Sequence, residues 1–205
     1  MSLTVAESQK ILNMDTTELL RIPGMEDTEL VRLCQNGDIT AFDRLFQKYR
    51  DKIYNTVYRM INNQEDALDL TQEIFLRMYQ KIGKFSHKST FSTWLYRLAV
   101  NVCIDELRKR KKTNEIPITD SFSQTYVDKN TPEDHAISNE EEHLMWEAIG
   151  SLKEKERAIL ILRDVEGLSY NEIANILKCS MGRVKSRIHE ARGKLKIALE
   201  KRAYA

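Results

Sequence analysis

Two all-α domains joined by an acidic linker is the architecture this sequence predicts. Three observations carry it. Apolar residues recur at helical spacing along nearly the whole chain, while strand-type alternation is almost absent. Only 7 Gly and 3 Pro punctuate 205 residues, which suits long helices and few turns. Charge is also partitioned. The net charge of +1 conceals a basic block over 27–112, an acidic stretch over 113–143 with eight carboxylates against Lys129 alone, and a second basic block over 144–205. Two basic units can each meet nucleic acid, and the acidic connector repels or mimics it.

Residues 1–26 are weakly patterned, contain Pro23-Gly24, and read as an N-terminal extension. A short helix is expected from Asp27 to Gln35, stopped by Asn36-Gly37. A second runs from about Ala41 to Ile61, with Phe42, Leu45, Phe46, Tyr49, Ile53, Val57 and Met60 on one side, and Asn62-Asn63 ends it. A third runs from about Glu65 to Ile82, burying Ala67, Leu70, Ile74 and Met78. Gly83 closes it and the polar loop Lys84–Thr90 follows. The fourth runs from about Phe91 to Lys112 on a core stripe of Phe91, Leu95, Leu98, Ala99 and Val102. The linker over 113–143 holds Pro117, Pro132 and many Ser, Thr, Asn and Asp residues. Helix resumes near Asn139 and stops at Gly150. Ser151 with Glu154 fits a capping box for the next helix, whose stripe is Ala158, Ile159, Leu162 and Val165.

The stretch LSYNEIANILKCSMGRVKSRIHEARGKLK, residues 168–196, reads as a helix-turn-helix. Ser169 and Glu172 form a capping box, and Ile173, Ala174 and Leu177 face inward. Cys179-Ser180 marks the turn. On the second helix Val184, Ile188, Ala191, Leu195 and Ala198 point to the core. Ser186, His189, Glu190 and Gly193 lie opposite, flanked by Arg183, Lys185, Arg187, Arg192, Lys194 and Lys196. Short polar groups at the centre and cations at the edges suit a major groove, where the centre meets base edges and the flanks meet phosphates.

Two other faces bear chemistry. On the fourth helix, Trp94, Arg97, Asn101 and Arg108 line a stripe beside the core, and five cations, Arg108–Lys112, end it. Aromatic and cationic groups together suit unstacked bases and phosphates. On the third helix, Asp66, Asp69 and Glu73 share a narrow arc with Gln72 and Arg77, a face suited to a basic protein helix. No Gly-rich phosphate loop or nucleophile–base pair points to an enzyme. Cys34, Cys103 and Cys179 form no CxxC pair or zinc set, and an odd, scattered trio fits ordinary thiols in a reducing cytoplasm. The N-terminus shows no signal-peptide pattern, and no run approaches the roughly 20 apolar residues of a membrane span.

The segments EDALDLTQEIFLRMYQKI and FSTWLYRLAVNVCIDELRKRKK, the acidic linker, and the helix-turn-helix stand in an order that resembles the extracytoplasmic-function, or group IV, bacterial sigma factors, over about residues 27–202. The resemblance implies a sigma-2-like domain over 27–112 that binds the β′ clamp helices of core RNA polymerase and opens the −10 element. It implies a sigma-4-like domain over 144–205 that binds the β flap and reads the −35 element as duplex. Polymerase binding then maps to Asp66, Asp69, Gln72, Glu73 and Arg77. Capture of single-stranded −10 DNA maps to Lys84, Phe85, Ser86, His87, Lys88, Ser89, Thr90, Trp94, Arg97, Asn101, Arg108, Lys109 and Arg110. Contact with −35 DNA maps to Arg183, Lys185, Ser186, Arg187, His189, Glu190 and Arg192. Glu190 stands where many relatives carry a cation. It either accepts from a cytosine amino group or is restrained by Arg187 and Arg192. The resemblance further implies no cofactor, no metal, a cytoplasmic location without membrane insertion, and an anti-sigma factor as regulator. A second reading stays open: a conventional helix-turn-helix regulator that binds a duplex operator without polymerase. It leaves the 84–112 segment unexplained.

Overall fold

The computed structural model describes residues 25–113 and 135–203, with 135–142 and 203 as backbone alone. Eight α-helices and no strand occur among them. The N-terminal unit holds α1 (Asp27–Gln35), α2 (Ile39–Ile61), α3 (Gln64–Ile82) and α4 (Phe91–Thr113). The C-terminal unit holds α5 (His135–Gly150), α6 (Glu154–Leu160), α7 (Tyr170–Leu177) and α8 (Met181–Ala203). A π-helical turn, Ile161–Val165, prolongs α6. The expected helices are all present, with bounds one or two residues wider for α2, α3 and α4. The helix expected near Asn139 begins at His135. The expectations on residues 1–24 and 114–134 lie outside the described residues.

Local chemistry sets the helix ends. The Asp38 carboxylate accepts from the Ala41 amide at 3.0 Å to start α2. Asn62 takes the left-handed conformation that stops it. Asn63 then caps α3 through the Asp66 amide, at 2.9 Å, each such cap being worth about 1 kcal/mol. One expected cap is wrong. The Ser151 hydroxyl donates back to the Ala148 carbonyl at 2.6 Å, and α6 starts after Lys153, whose amide donates to Glu156. Ser151 is drawn to the exposed carbonyls of the α5 terminus, a competing local partner that spacing alone does not reveal.

In the N-terminal unit α2 packs on α1, α3 and α4. Leu45, Ile53, Ile74, Met78, Leu95 and Ala99 are fully buried there. In the C-terminal unit α8 packs on α5, α6 and α7, over Ile159, Leu162, Ile173, Ile176, Val184, Ile188 and Ala191. The two units also pack on each other: α4 meets α6 and α7, and α2 meets α5, α6 and the π turn. One hydrophobic cluster runs through both. This explains why α4 buries two faces. Phe91, Leu95, Ala99 and Val102 form the expected stripe, with Leu98 at its half-buried rim. Tyr96, Val100, Cys103 and Ile104 form a second, well round the helix at 100° per residue.

Candidate nucleic-acid interface

The recognition helix stands as its spacing predicts. The Ser169 hydroxyl accepts from the Glu172 amide at 3.3 Å, and Glu172 accepts from the Ser169 amide at 2.9 Å, closing the capping box of α7. Lys178 is left-handed at the end of α7, and Ser180 caps α8 through the Arg183 amide. With Val184, Ile188 and Ala191 buried, α8 exposes Arg183, Lys185, Ser186, His189 and Glu190, with Arg187 half-buried.

Two residues of this helix are engaged differently from expectation. Glu190 is held by Lys194 at 2.8 Å, not by Arg187 or Arg192. Lys194, the hydrogen-bonding neighbour, keeps the Glu190 carboxyl below its usual range, with its charge as a second cause. Lys194 also reaches Glu156 of α6 at 2.5 Å. Arg192 is joined to Asp164 of the π turn through two guanidinium nitrogens, Nε at 3.2 Å. Its fork therefore braces α8 against the π turn.

The loop before α4 is pinned at both ends. Gln35 donates to the Ile82 and Phe85 carbonyls at 3.0 and 2.9 Å. Thr90 caps α4, accepting from the Thr93 amide at 3.2 Å and meeting the Thr93 hydroxyl at 2.7 Å. Between the pins, Lys84, Ser86, His87 and Lys88 are exposed and Ser89 is half-exposed. His87 holds a φ of 55°, a conformation uncommon outside glycine. Phe85 differs from expectation: it is buried and its ring meets Trp94, Phe91 and His87. An aromatic ring flanked by two others gains more by burial than by presentation to solvent. Phe85 is thus the floor beneath the loop. Trp94 stays half-exposed on that floor, Arg97 beside it is half-exposed, and Asn101, Arg108 and Lys109 are exposed along α4.

Arg110 also differs from expectation. It pairs with Asp66 of α3 at 2.9 Å and with Glu106 at 2.8 Å. Two residues expected to meet different partners, Arg110 and Asp66, therefore meet each other. On the outer face of α3, Asp69 and Gln72 are exposed, and Glu73 pairs with Arg77 at 2.5 Å. This face also carries Leu68, Leu76 and Tyr79, each about half exposed. Sequence reasoning missed these three. The available signal was their large apolar side chains lying off the buried stripe of Ala67, Leu70, Ile74 and Met78.

Among the described residues no group of His, Cys, Asp and Glu is arranged to hold a metal, and no helix is long and apolar enough to cross a membrane.

Comparison with known proteins agrees with this geometry. The sigma-70 region 2 model matches residues 45–113, and the sigma-70 region 4 model matches 142–195. The chain is 38% identical over 173 residues to the ECF RNA polymerase sigma factor SigW of Bacillus subtilis, covering 81% of this chain and 92% of that one. It is 36% identical over 182 residues to the RNA polymerase sigma-H factor of Pseudomonas aeruginosa, covering 85% and 94%. In fold it is similar to CnrH, solved with the cytosolic domain of CnrY, at a TM-score of 0.64 and 21% identity over 85% of this chain and 97% of that one. It is likewise similar to the sigma factor RpoE of Bartonella quintana, solved with the anti-sigma factor NepR, at 0.62 and 21% over 78% and 96%. A helix-turn-helix unit and a Trp94-bearing helical unit on one chain, matched over most of their length by these relatives, establish that this chain belongs to the extracytoplasmic-function RNA polymerase sigma factors.

Proposed function

We propose that this chain confers promoter specificity on core RNA polymerase in the cytoplasm, and that nucleotidyl transfer belongs to the polymerase and not to this subunit. The observation that carries the reading is the pairing of two unlike nucleic-acid faces on one chain. One is a capped recognition helix with exposed polar groups. The other is an aromatic floor with a pinned loop beside it.

In this reading Arg183, Lys185, Ser186, Arg187, His189 and Glu190 read the −35 duplex. Phosphates meet the cations and base edges meet the short polar groups. Lys84, Ser86, His87, Lys88 and Ser89 surround an extruded −10 base, and Trp94 offers a stacking surface. Arg97, Asn101, Arg108 and Lys109 hold the backbone. Extrusion costs a few kcal/mol, and stacking returns about 1–3 kcal/mol per base. The outer face of α3 fits the β′ clamp helices: Leu68, Leu76 and Tyr79 supply burial while Asp69, Gln72 and Glu73 select a basic partner. The C-terminal unit docks on the β flap. A protein partner of anti-sigma type would act by covering these faces.

In vitro transcription with purified bacterial core polymerase on a pooled genomic template tests the reading. Discrete new starts sharing upstream −35 and −10 sequences are expected. Specific binding of the free chain to duplex DNA, with no new starts, would instead establish a conventional regulator.

A further inference from the structure

We propose that Gln35 is a positioning residue for capture of the −10 base: its side-chain amide sets the loop between α3 and α4 before DNA arrives, and with it the base preference that the loop expresses. The inference rests on the assignment of that loop to the −10 element. Gln35 ends α1, a helix to which the proposed function gives no part.

The grip is specific. Gln35 Nε2 donates to the Ile82 carbonyl at 3.0 Å and to the Phe85 carbonyl at 2.9 Å. A carboxamide nitrogen has two hydrogens, and both are used on the loop. The two partners only accept, so the amide has one workable orientation; its oxygen turned towards them would meet two more oxygens. Ile82 is the last residue of α3, and its carbonyl is one of those a helix end leaves without a regular partner. It accepts from the Phe85 amide at 3.0 Å as well as from Gln35. These partners lie 47 and 50 positions along the chain from Gln35, so the grip is a tertiary contact and not a local turn.

The grip has a firm base. Leu30, Val31 and Leu33 are buried and anchor α1. At the start of α1, Asp27 pairs with Lys48 at 2.6 Å and accepts from the Tyr49 hydroxyl. The Tyr49 ring meets Phe91, the first residue of α4, at 5.5 Å. After Gln35 the chain turns at once. Gly37 takes a φ of 91°, the Asp38 amide donates to the Leu33 carbonyl at 3.0 Å, and the Asp38 carboxylate caps α2. Thus α1 reaches both ends of the loop: directly through Gln35 where the chain leaves α3, and through Tyr49 where it enters α4.

The loop shows what the grip fixes. With its backbone held, Phe85 lies against Trp94 at 5.4 Å. The next three residues, Ser86, His87 and Lys88, are exposed, and His87 is left-handed. A non-glycine residue keeps that conformation only where its surroundings determine it. Here the gripped Phe85 carbonyl stands on one side and the Thr90 cap on the other. A loop set in advance avoids the ordering cost of binding. Its polar groups then stand at fixed points, which discrimination among bases requires. The cations Arg97, Arg108 and Lys109 belong to α4 and do not depend on the loop. Loss of the grip therefore lowers base discrimination more than overall affinity.

Holoenzyme assembled from the full chain and core polymerase tests this on fork-junction DNA. The DNA carries the −35 and −10 sequences of a start found by in vitro transcription, with each of the four bases in turn at each non-template −10 position. Affinity is read by fluorescence anisotropy. Gln35→Met keeps the side-chain length and removes both donors. Gln35→Glu turns a carboxylate towards two carbonyls. Gln35→Lys returns donors as an ammonium. Discrimination between the best and worst base is expected to fall at least five-fold in Gln35→Met, to fall further in Gln35→Glu, and to stay within two-fold of wild type in Gln35→Lys. Affinity for core polymerase and for −35 duplex should stay within two-fold in all three, the control for folding. Amide exchange over residues 83–90 of the free chain, read by mass spectrometry, should quicken at least five-fold in Gln35→Met and not in Gln35→Lys. Wild-type discrimination or wild-type exchange in Gln35→Met would overturn the proposal. An equal loss in all three variants would also overturn it and make Gln35 a packing residue. Failure of the sigma-factor reading is distinguishable: wild-type holoenzyme would then show no base preference at any −10 position, while the exchange result would stand.

Discussion

Asp66 of α3 and Arg110 of α4 form an ion pair at 2.9 Å, with Glu106 as a third member. The Arg110 side chain is mostly buried by it. The pair fastens the end of the basic α4 tail to the start of the acidic α3 face. A double-mutant cycle with Asp66→Asn and Arg110→Gln should therefore give a coupling of about 1 kcal/mol in chemical denaturation. Asp66→Asn alone should leave polymerase affinity within about two-fold. A coupling near zero, or a large loss of polymerase binding from Asp66→Asn, would restore the separate roles that sequence spacing assigns to the two residues.

Polymerase affinity should depend instead on the outer face of α3. Tyr79 is about half exposed and meets the Phe42 ring edge-on at 5.1 Å, a rigid aromatic of the kind that anchors interfaces. Tyr79→Ala should weaken core binding by at least ten-fold, the 1.4 kcal/mol equivalent of a moderate interface anchor. Asp69→Lys with Glu73→Lys should do the same through charge. Binding of promoter fragments by the N-terminal face should stay unchanged in both. Fluorescence titration with core polymerase reads this directly, and full affinity in both variants would move the interface elsewhere.

Trp94 rests on Phe85 and Phe91, with ring centroids 5.4 and 5.7 Å away. Its burial is partial, so Trp94→Ala should cost some stability and leave the fold intact. Strand opening should suffer more: losing a stacking surface is worth about 1–3 kcal/mol, which is about five-fold to more than a hundred-fold in open complex. Permanganate reactivity of −10 thymines, measured at saturating holoenzyme, checks this. Unchanged reactivity would make Trp94 a core-rim residue only.

The Cys34 and Cys103 thiols should be inert. Burial is the main cause that pushes Cys34 up to about 11 and Cys103 up to about 12. At pH 8 the Cys34 thiolate is roughly a hundred-fold scarcer than in a free cysteine, and reactivity follows the thiolate. Cys103 should react with a disulfide probe only at the rate of unfolding or of separation of the two units. Rapid labelling of Cys103 in the free wild-type chain would contradict its burial where α4 meets the C-terminal unit.

What could be read in advance follows a physical line. Elements fixed by neighbours in sequence were legible: the Ser169–Glu172 box, the Asn62-Asn63 break, and the stripe Val184, Ile188, Ala191. Features set by distant partners were not. Thr90 offers the same hydroxyl to a base or to a helix end, and only the observed cap decides between them. Phe85 sits in a polar loop, yet Trp94 and Phe91 draw it inward. Tyr96, Val100 and Cys103 form an apolar stripe whose cover lies some seventy positions on in α7. Arg192 reads as a phosphate ligand until Asp164 is seen beside it.

Glu190 offers the sharpest specificity test. Its carboxyl is exposed, hydrogen-bonded to Lys194, and held below the usual carboxylate range by that bond. It is therefore ionised at neutral pH and can only accept. The sign of the shift means that the pairing is present above the ordinary carboxylate value and is lost as pH falls through the lowered one. An acceptor at this position prefers a cytosine amino group in the major groove. Glu190→Ala should relax discrimination at one −35 position by about 1–3 kcal/mol while leaving affinity for other sequences and its salt dependence nearly unchanged. Glu190→Lys should raise affinity for all sequences and steepen the salt slope by about one. Binding across a library randomised over the −35 element, at two salt concentrations, distinguishes the two effects. If Glu190→Ala left the preferred bases unaltered, the Lys194–Glu190 pair would be a surface brace of α8 and not a reader.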